Sequence, residues 1–160
     1  MSKSVWPSER EAAQALVQAA AVFCTHGLRK IFLHAGSCGP INGSSAGGVF
    51  FEYGGTPRKM LPAVSAFSRL VDADFEPVDT GPHPADMRAY MFKVRRGLLV
   101  IAWTREEKPV HVTTSDGITV VDIMGNTLKE REVKLSATPT YFLTSTLTPQ
   151  KLKIALTKRR

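Results

Sequence analysis

The chain has 160 residues, of which 43% are hydrophobic and 22% charged, with a formal net charge of +7. This composition excludes a disordered polymer, and the length fits one ordinary domain or two small ones. No apolar run approaches the roughly 20 residues that a membrane helix needs, and the opening MSKSVWPSER lacks the apolar core of a signal peptide. No membrane partner is therefore expected. Localisation stays open, with a cytoplasmic location expected if Met1 is the natural start.

Ser8-Glu9-Arg10-Glu11 has the form of a capping box, in which the Ser8 oxygen accepts from the N–H three residues on and Glu11 reaches back to the Ser8 N–H. It predicts a helix running to about Thr25. Gly27 suits a left-handed C-terminal cap, with Leu28 as the hydrophobic contact beyond it. Ala12, Ala13, Ala15, Leu16, Val17, Ala19, Ala20, Val22 and Phe23 make this helix apolar over most of its circumference. A helix of that kind is expected to be covered on more than one side.

Arg29-Lys30-Ile31-Phe32-Leu33-His34 reads as a short buried strand ended by Gly36. Gly36 to Gly48 is largely Gly, Ser, Pro and Asn, a long loop of the kind that carries function or moves. Val49 to Tyr53 is a candidate brief strand. Thr56 and Pro57 then lead into a second helix over about Lys59 to Val71, with Pro62 tolerable in its first turn. One β/α unit cannot build a sheet by itself, so this half looks incomplete.

After Asp72 the character changes. Pro77, Gly81, Pro82 and Pro84 mark a linker or turn region. Arg88 to Arg95 alternates, with Tyr90, Phe92 and Val94 on one face, while Leu98 to Trp103 is apolar on both faces, as in a central strand. Val110–Thr114, Ile118–Asp122, Lys129–Leu135 and Thr140–Leu143 complete a set of short strands. Turns are expected at Arg96-Gly97, Asp116-Gly117 and Gly125-Asn126. The expected class is α+β: a partial β/α barrel segment of two helices and one or two strands over residues 1–76, then a small antiparallel β-sandwich over 77–146. A basic tail over 147–160 ends the chain.

This order resembles the C-terminal end of clan-A retaining glycoside hydrolases, barrel enzymes that often append a β-sandwich. Ser8 to Ala15 and Gly27 to Phe32 are similar to their final helix–strand passage, and Pro57-Arg58-Lys59 with Ala63 resembles the approach to their closing helix, although the second proline of that pattern is absent. Leu99-Val100-Ile101-Ala102-Trp103-Thr104 looks like their strand ending in Ala-Trp. Val121-Asp122-Ile123-Met124-Gly125-Asn126 resembles their Asp-x-x-Gly-Asn turn, and Thr138-Pro139-Thr140-Tyr141-Phe142-Leu143 their closing strand. Together these motifs span about residues 8 to 143.

In that family the chemistry needs two carboxylates roughly 5 Å apart across the glycosidic bond. The resemblance implies that both would precede the first helix, and so lie outside this chain. Glu9 loosely resembles a nucleophile at a strand end, but a carboxylate in a first helical turn favours the helix dipole, which is the reading taken. Glu52 reads as solvent-exposed. His34, at the end of the candidate last strand, and Asn42 are the two residues expected near a substrate, since barrel sites lie at the C-terminal ends of strands. The family often has an aromatic residue where His34 stands, and a structural role for His34 stays open.

Trp103 and Tyr141 read as buried sandwich aromatics. Ser37 and Ser44 have no His/Asp arrangement, and the glycines from Gly36 to Gly48 match no phosphate-binding motif. Cys24 and Cys38 are expected as free thiols, and no metal or other cofactor is expected. The basic end, with Lys151, Lys153, Lys158, Arg159 and Arg160, reads as a solubilising tail without interleaved aromatics.

The leading expectation is a C-terminal fragment or subunit of a glycoside hydrolase, structural and without its own catalysis. Whether the chain is itself an enzyme stays open. The alternatives are a self-contained carbohydrate-binding or interaction module and, further off, a basic nucleic-acid-binding domain. Carbohydrate, a second copy of the chain or a separate barrel chain are the expected partners. Nucleic acid is not.

Overall fold

A computed structural model describes residues 8–33, 50–51, 56–79, 81, 86–105 and 109–152. Its elements run α1 (Glu9–Thr25), α2 (Met60–Leu70), β1 (Glu76–Val78), β2 (Met87–Val94), β3 (Gly97–Thr104), β4 (Val110–Thr113), β5 (Thr119–Val121), β6 (Thr127–Leu128), β7 (Glu132–Leu135) and β8 (Thr140–Thr144), with a further helical turn over 149–152. The class is α+β.

The start of α1 follows from its sequence. Ser8 takes an extended backbone, and its hydroxyl oxygen accepts from the Glu11 N–H at 3.2 Å. The Glu11 carboxylate returns to the Ser8 hydroxyl, which donates to it at 2.9 Å, in place of the expected bond to the Ser8 N–H. The far end closes as the glycine predicts. Gly27 has φ 89°, its N–H bonds to the Cys24 carbonyl, and the Leu28 N–H bonds to the Phe23 carbonyl. That pair of bonds satisfies carbonyls that the last helical turn leaves open.

Glu9 also serves the second helix. Lys59, at the N-cap of α2, offers no side-chain cap, and its N–H donates instead to the Glu9 carboxylate at 3.3 Å, with the Arg58 guanidinium 4.0 Å away. The two helices therefore start side by side. Their later turns also face each other, since Cys24 and Val71 line one cleft. α1 and α2 are parallel.

Six strands form one antiparallel sheet in the order β1-β2-β3-β8-β5-β6, and β4 pairs with β7 in a separate ribbon. The alternation read in β2 holds: Tyr90, Phe92 and Val94 point to the helices, and Met87, Ala89 and Met91 to the opposite side. Register carries the same division across the sheet. Tyr90 lies opposite Ile101, Ile101 opposite Tyr141, and Tyr141 opposite Val121, giving one row beneath the helices. On the other face Met91, Val100, Phe142 and Val120 form the matching row, covered by Val112, Val133 and Leu135 of the ribbon and by Leu152. The sheet is thus the middle of three layers. Burying each large side chain of these rows is worth ~1.5–3 kcal/mol.

Two turn glycines fix close approaches. Gly97, the first residue of β3, has φ 123°, and a Cβ there would meet the Thr144 carbonyl and come within 2.8 Å of the Ser145 Cα. Gly125 has φ 92° and lies against Ala66 and Arg69 of α2. Arg69 donates to the Gly125 carbonyl at 3.3 Å, and Asp122 accepts from the Met124 and Asn126 N–H groups and from the Asn126 side chain. The Asp-x-x-Gly-Asn segment is a turn on which α2 rests.

Three expectations differ. Residues 29–33 join no ladder among the described residues, because a strand exists only with a partner strand to hydrogen-bond. The candidate strand Val49–Tyr53 lies mostly outside the described residues, with an isolated bridge between Phe51 and Pro57 in the part described. Pro77, read as linker, sits in β1, an edge strand whose free side tolerates a residue without an N–H. The all-round apolar character of α1 also misleads: its buried residues are Ala13, Val17, Ala20, Ala21 and Cys24, a single stripe, while Phe23 is 51% exposed.

Candidate functional site

A concave feature built by several elements, a cleft of about 300 Å³, lies between α1 and α2. Leu16, Val17, Ala20 and Cys24 come from α1, at the helical spacing that keeps them on one side. Val64, Phe67 and Ser68 come from α2, and Val71 to Phe75 close the end. Arg29, Ile31 and Leu33 form the third wall. Only alternate residues of that segment line the cleft, while Phe32 between them is 91% exposed. This is the period of two that the sequence carries, present without the ladder.

Polar groups in the cleft are few and mostly engaged. The Asp72 carboxylate accepts from the Asp74 N–H at 3.1 Å and the Arg95 N–H at 2.7 Å. The Arg29 guanidinium lies 4.9 Å from the centre of the Phe75 ring and donates to the Phe75 carbonyl. Burial pushes the Cys24 thiol up from its ordinary value, and the nearby Arg29 charge opposes that shift. A thiol held protonated is a weak nucleophile at neutral pH.

The other singled-out residues fall elsewhere. His34 and Asn42, expected near a substrate, lie outside the described residues, as do Glu52, Ser37, Ser44 and Cys38. Glu9 occupies the first turn of α1 and caps α2. Trp103 and Tyr141 are buried under the helices, with Trp103 packed on Tyr90 at 5.3 Å between ring centres. The Tyr141 hydroxyl is buried without a hydrogen-bond partner among the described residues, and burial, with the Asp122 charge adding, pushes its ionisation upward.

Several described carboxylates have structural partners. Asp74 pairs with Arg95, Glu76 with Lys93, Asp116 with Arg131 and Glu132 with His111, all at exposed positions. No group of three or more potential metal ligands occurs among the described residues. In the sequence Arg29 reads only as part of a strand, and the signal for its place at the cleft is its position in the alternation with Ile31 and Leu33.

No protein-family model matches the chain, and no curated protein matches it. Among solved structures, a glycoside hydrolase family 30 subfamily 8 xylanase, Xyn30A from Clostridium acetobutylicum, superposes with a TM-score of 0.55 at 11% identity, over 82% of this chain and 38% of that one. A family 30 endoxylanase from Clostridium papyrosolvens C71 gives a TM-score of 0.44 at 12% identity, over 57% of this chain and 29% of that one. The chain spans well under half the length of either structure, and at these identities the likeness is one of fold. The described architecture shares its fold with part of the Xyn30A xylanase.

Proposed function

We propose that this chain is the C-terminal part of a glycoside hydrolase, in which its layers support a sugar-cleaving barrel and the cleavage itself belongs to residues elsewhere. The observation that carries this reading is the extent of the fold likeness. It covers 82% of the chain, more than the strands from Glu76 onward can supply, so it reaches into the helical half. The parallel pair α1 and α2, with the alternating segment 29–33 between them in sequence, is the arrangement that successive units of a β/α barrel require. By the name of the Xyn30A xylanase, xylan is the substrate class this reading assigns to the complete enzyme.

A retaining glycosidase places two carboxyl groups roughly 5 Å apart on opposite sides of the bond it breaks. In this reading they belong to barrel strands ahead of α1. The chain by itself then turns over no aryl xyloside or other aryl glycoside above the buffer rate, and does not bind immobilised xylan. Turnover by the purified chain, abolished by no contaminating enzyme on gel filtration, would overturn the support role. Retention on xylan without turnover would favour the binding-module alternative instead.

A further inference from the structure

We propose that the cleft between α1 and α2 binds a single-chain alkyl carboxylate. Its volume of about 300 Å³ lies at the lower end of the range that small ligands occupy. Leu16, Ala20, Val64, Phe67, Ile31 and Leu33 make its walls apolar. Each methylene moved from water onto such walls favours binding by roughly three- to fourfold. A sugar would find few hydrogen-bonding groups there, whereas an alkyl chain needs none.

The charge comes from Arg29. Stacking on Phe75 and the bond to the Phe75 carbonyl hold its guanidinium in place at the cleft. No carboxylate among the described residues forms an ion pair with it. Asp72, the acidic residue of the cleft, is committed to the backbone N–H groups of Asp74 and Arg95. A guanidinium has five N–H donors, and those left over by Phe75 match the two oxygens of a carboxylate, while the ring beneath fixes the plane they lie in. An apolar trough with one fixed cation that no described carboxylate pairs is complementary to an anionic head on an alkyl tail. The site stands on this geometry and not on the barrel reading.

The test is calorimetric titration of the full chain with decanoate below its micellar concentration, with octanoate and decanol as comparators. Saturable binding is expected, with decanoate about tenfold tighter than octanoate for its two extra methylenes. Arg29→Met keeps the stem and removes the charge. It is expected to weaken decanoate by about tenfold or more, the loss of a charge-assisted hydrogen bond, and to leave decanol unchanged. Ser68→Trp, at an exposed helix position lining the cleft, is expected to block both ligands while circular dichroism stays that of the parent. Absence of saturable heat with decanoate overturns the proposal, as does binding that survives Ser68→Trp. A chain whose cleft is closed by a second copy gives the first of these results together with a dimer in sedimentation. Turnover of aryl glycosides would leave the titration untouched, so the two readings fail separately.

Discussion

The two sides of the α1–α2 pair are made from similar residues and meet different surroundings. Beneath the helices, Ala13, Val17, Ala21 and Cys24 press onto Phe92, Ile101, Trp103 and Tyr141, and the sheet behind them is closed again by the β4–β7 ribbon. Beside the helices, Phe23, Leu28, Ile31 and Phe32 stand 51%, 43%, 37% and 91% exposed. The difference teaches that apolar composition marks a surface as burial-competent without saying when it is buried. The inner side holds the fold together within this chain. The outer side leaves apolar surface uncovered among the described residues.

The sharpest way to break this comparison is to truncate one aromatic on each side. Phe142→Ala, in the wholly buried row with Val100 and Val120, is expected to cost ~3–5 kcal/mol in urea unfolding. Phe32→Ala should stay within ~0.5 kcal/mol of the parent, as for a surface position. Equal losses would mean that the outer side is packed in solution too.

A middle-sized effect tests how tightly the inner side is assembled. Gly97→Ala places a Cβ against the Thr144 carbonyl and Ser145 at a φ of 123°, and should lower stability by ~1–3 kcal/mol. A neutral result in thermal unfolding would show that the β2–β3 turn can move away from the end of β8.

The smallest effect concerns Cys24, which lies on the boundary between the two sides. Its thiol titrates higher in the folded chain than in the unfolded one, so the unfolded chain loses its proton first as pH rises. The corresponding stability is fully present below the ordinary thiol pKa and declines as pH climbs through the raised one. Cys24→Ala should flatten the slope of stability against pH on the alkaline side, on top of a small pH-independent packing loss. An unaltered alkaline slope in Cys24→Ala would place the thiol in water.

Local signals were legible where a short stretch of sequence determines the outcome. Ser8 and Glu11 announce the start of α1, Gly27 and Leu28 its end, and the alternation of Tyr90, Phe92 and Val94 the face of β2. The α+β class and the antiparallel sheet follow from such pieces. Features that depend on distant partners were not legible. A strand at 29–33 needs a neighbour that no local pattern supplies, and β1 is hidden by Pro77, which becomes acceptable only at an edge. The helices' seating on the sheet needed Gly125 to meet Ala66 and Arg69, residues far apart in sequence. Of the candidate site, Arg29, Ile31 and Leu33 were visible as an alternating run, but their facing Leu16 and Val64 across a cleft is a tertiary fact.

The two borders of the six-stranded sheet carry a consequence for crowded solutions. β1 has three residues, one of them Pro77, and β6 has two. Strands so short give an incoming chain almost no backbone groups to zip onto, which is how natural sheets avoid seeding fibrils. The same sheet therefore resists edge-to-edge polymerisation even though its interior strands, Leu98 to Trp103 above all, would be fibril-prone if released. Fibril growth through β3 therefore requires that its ladders with β2 and β8 open first.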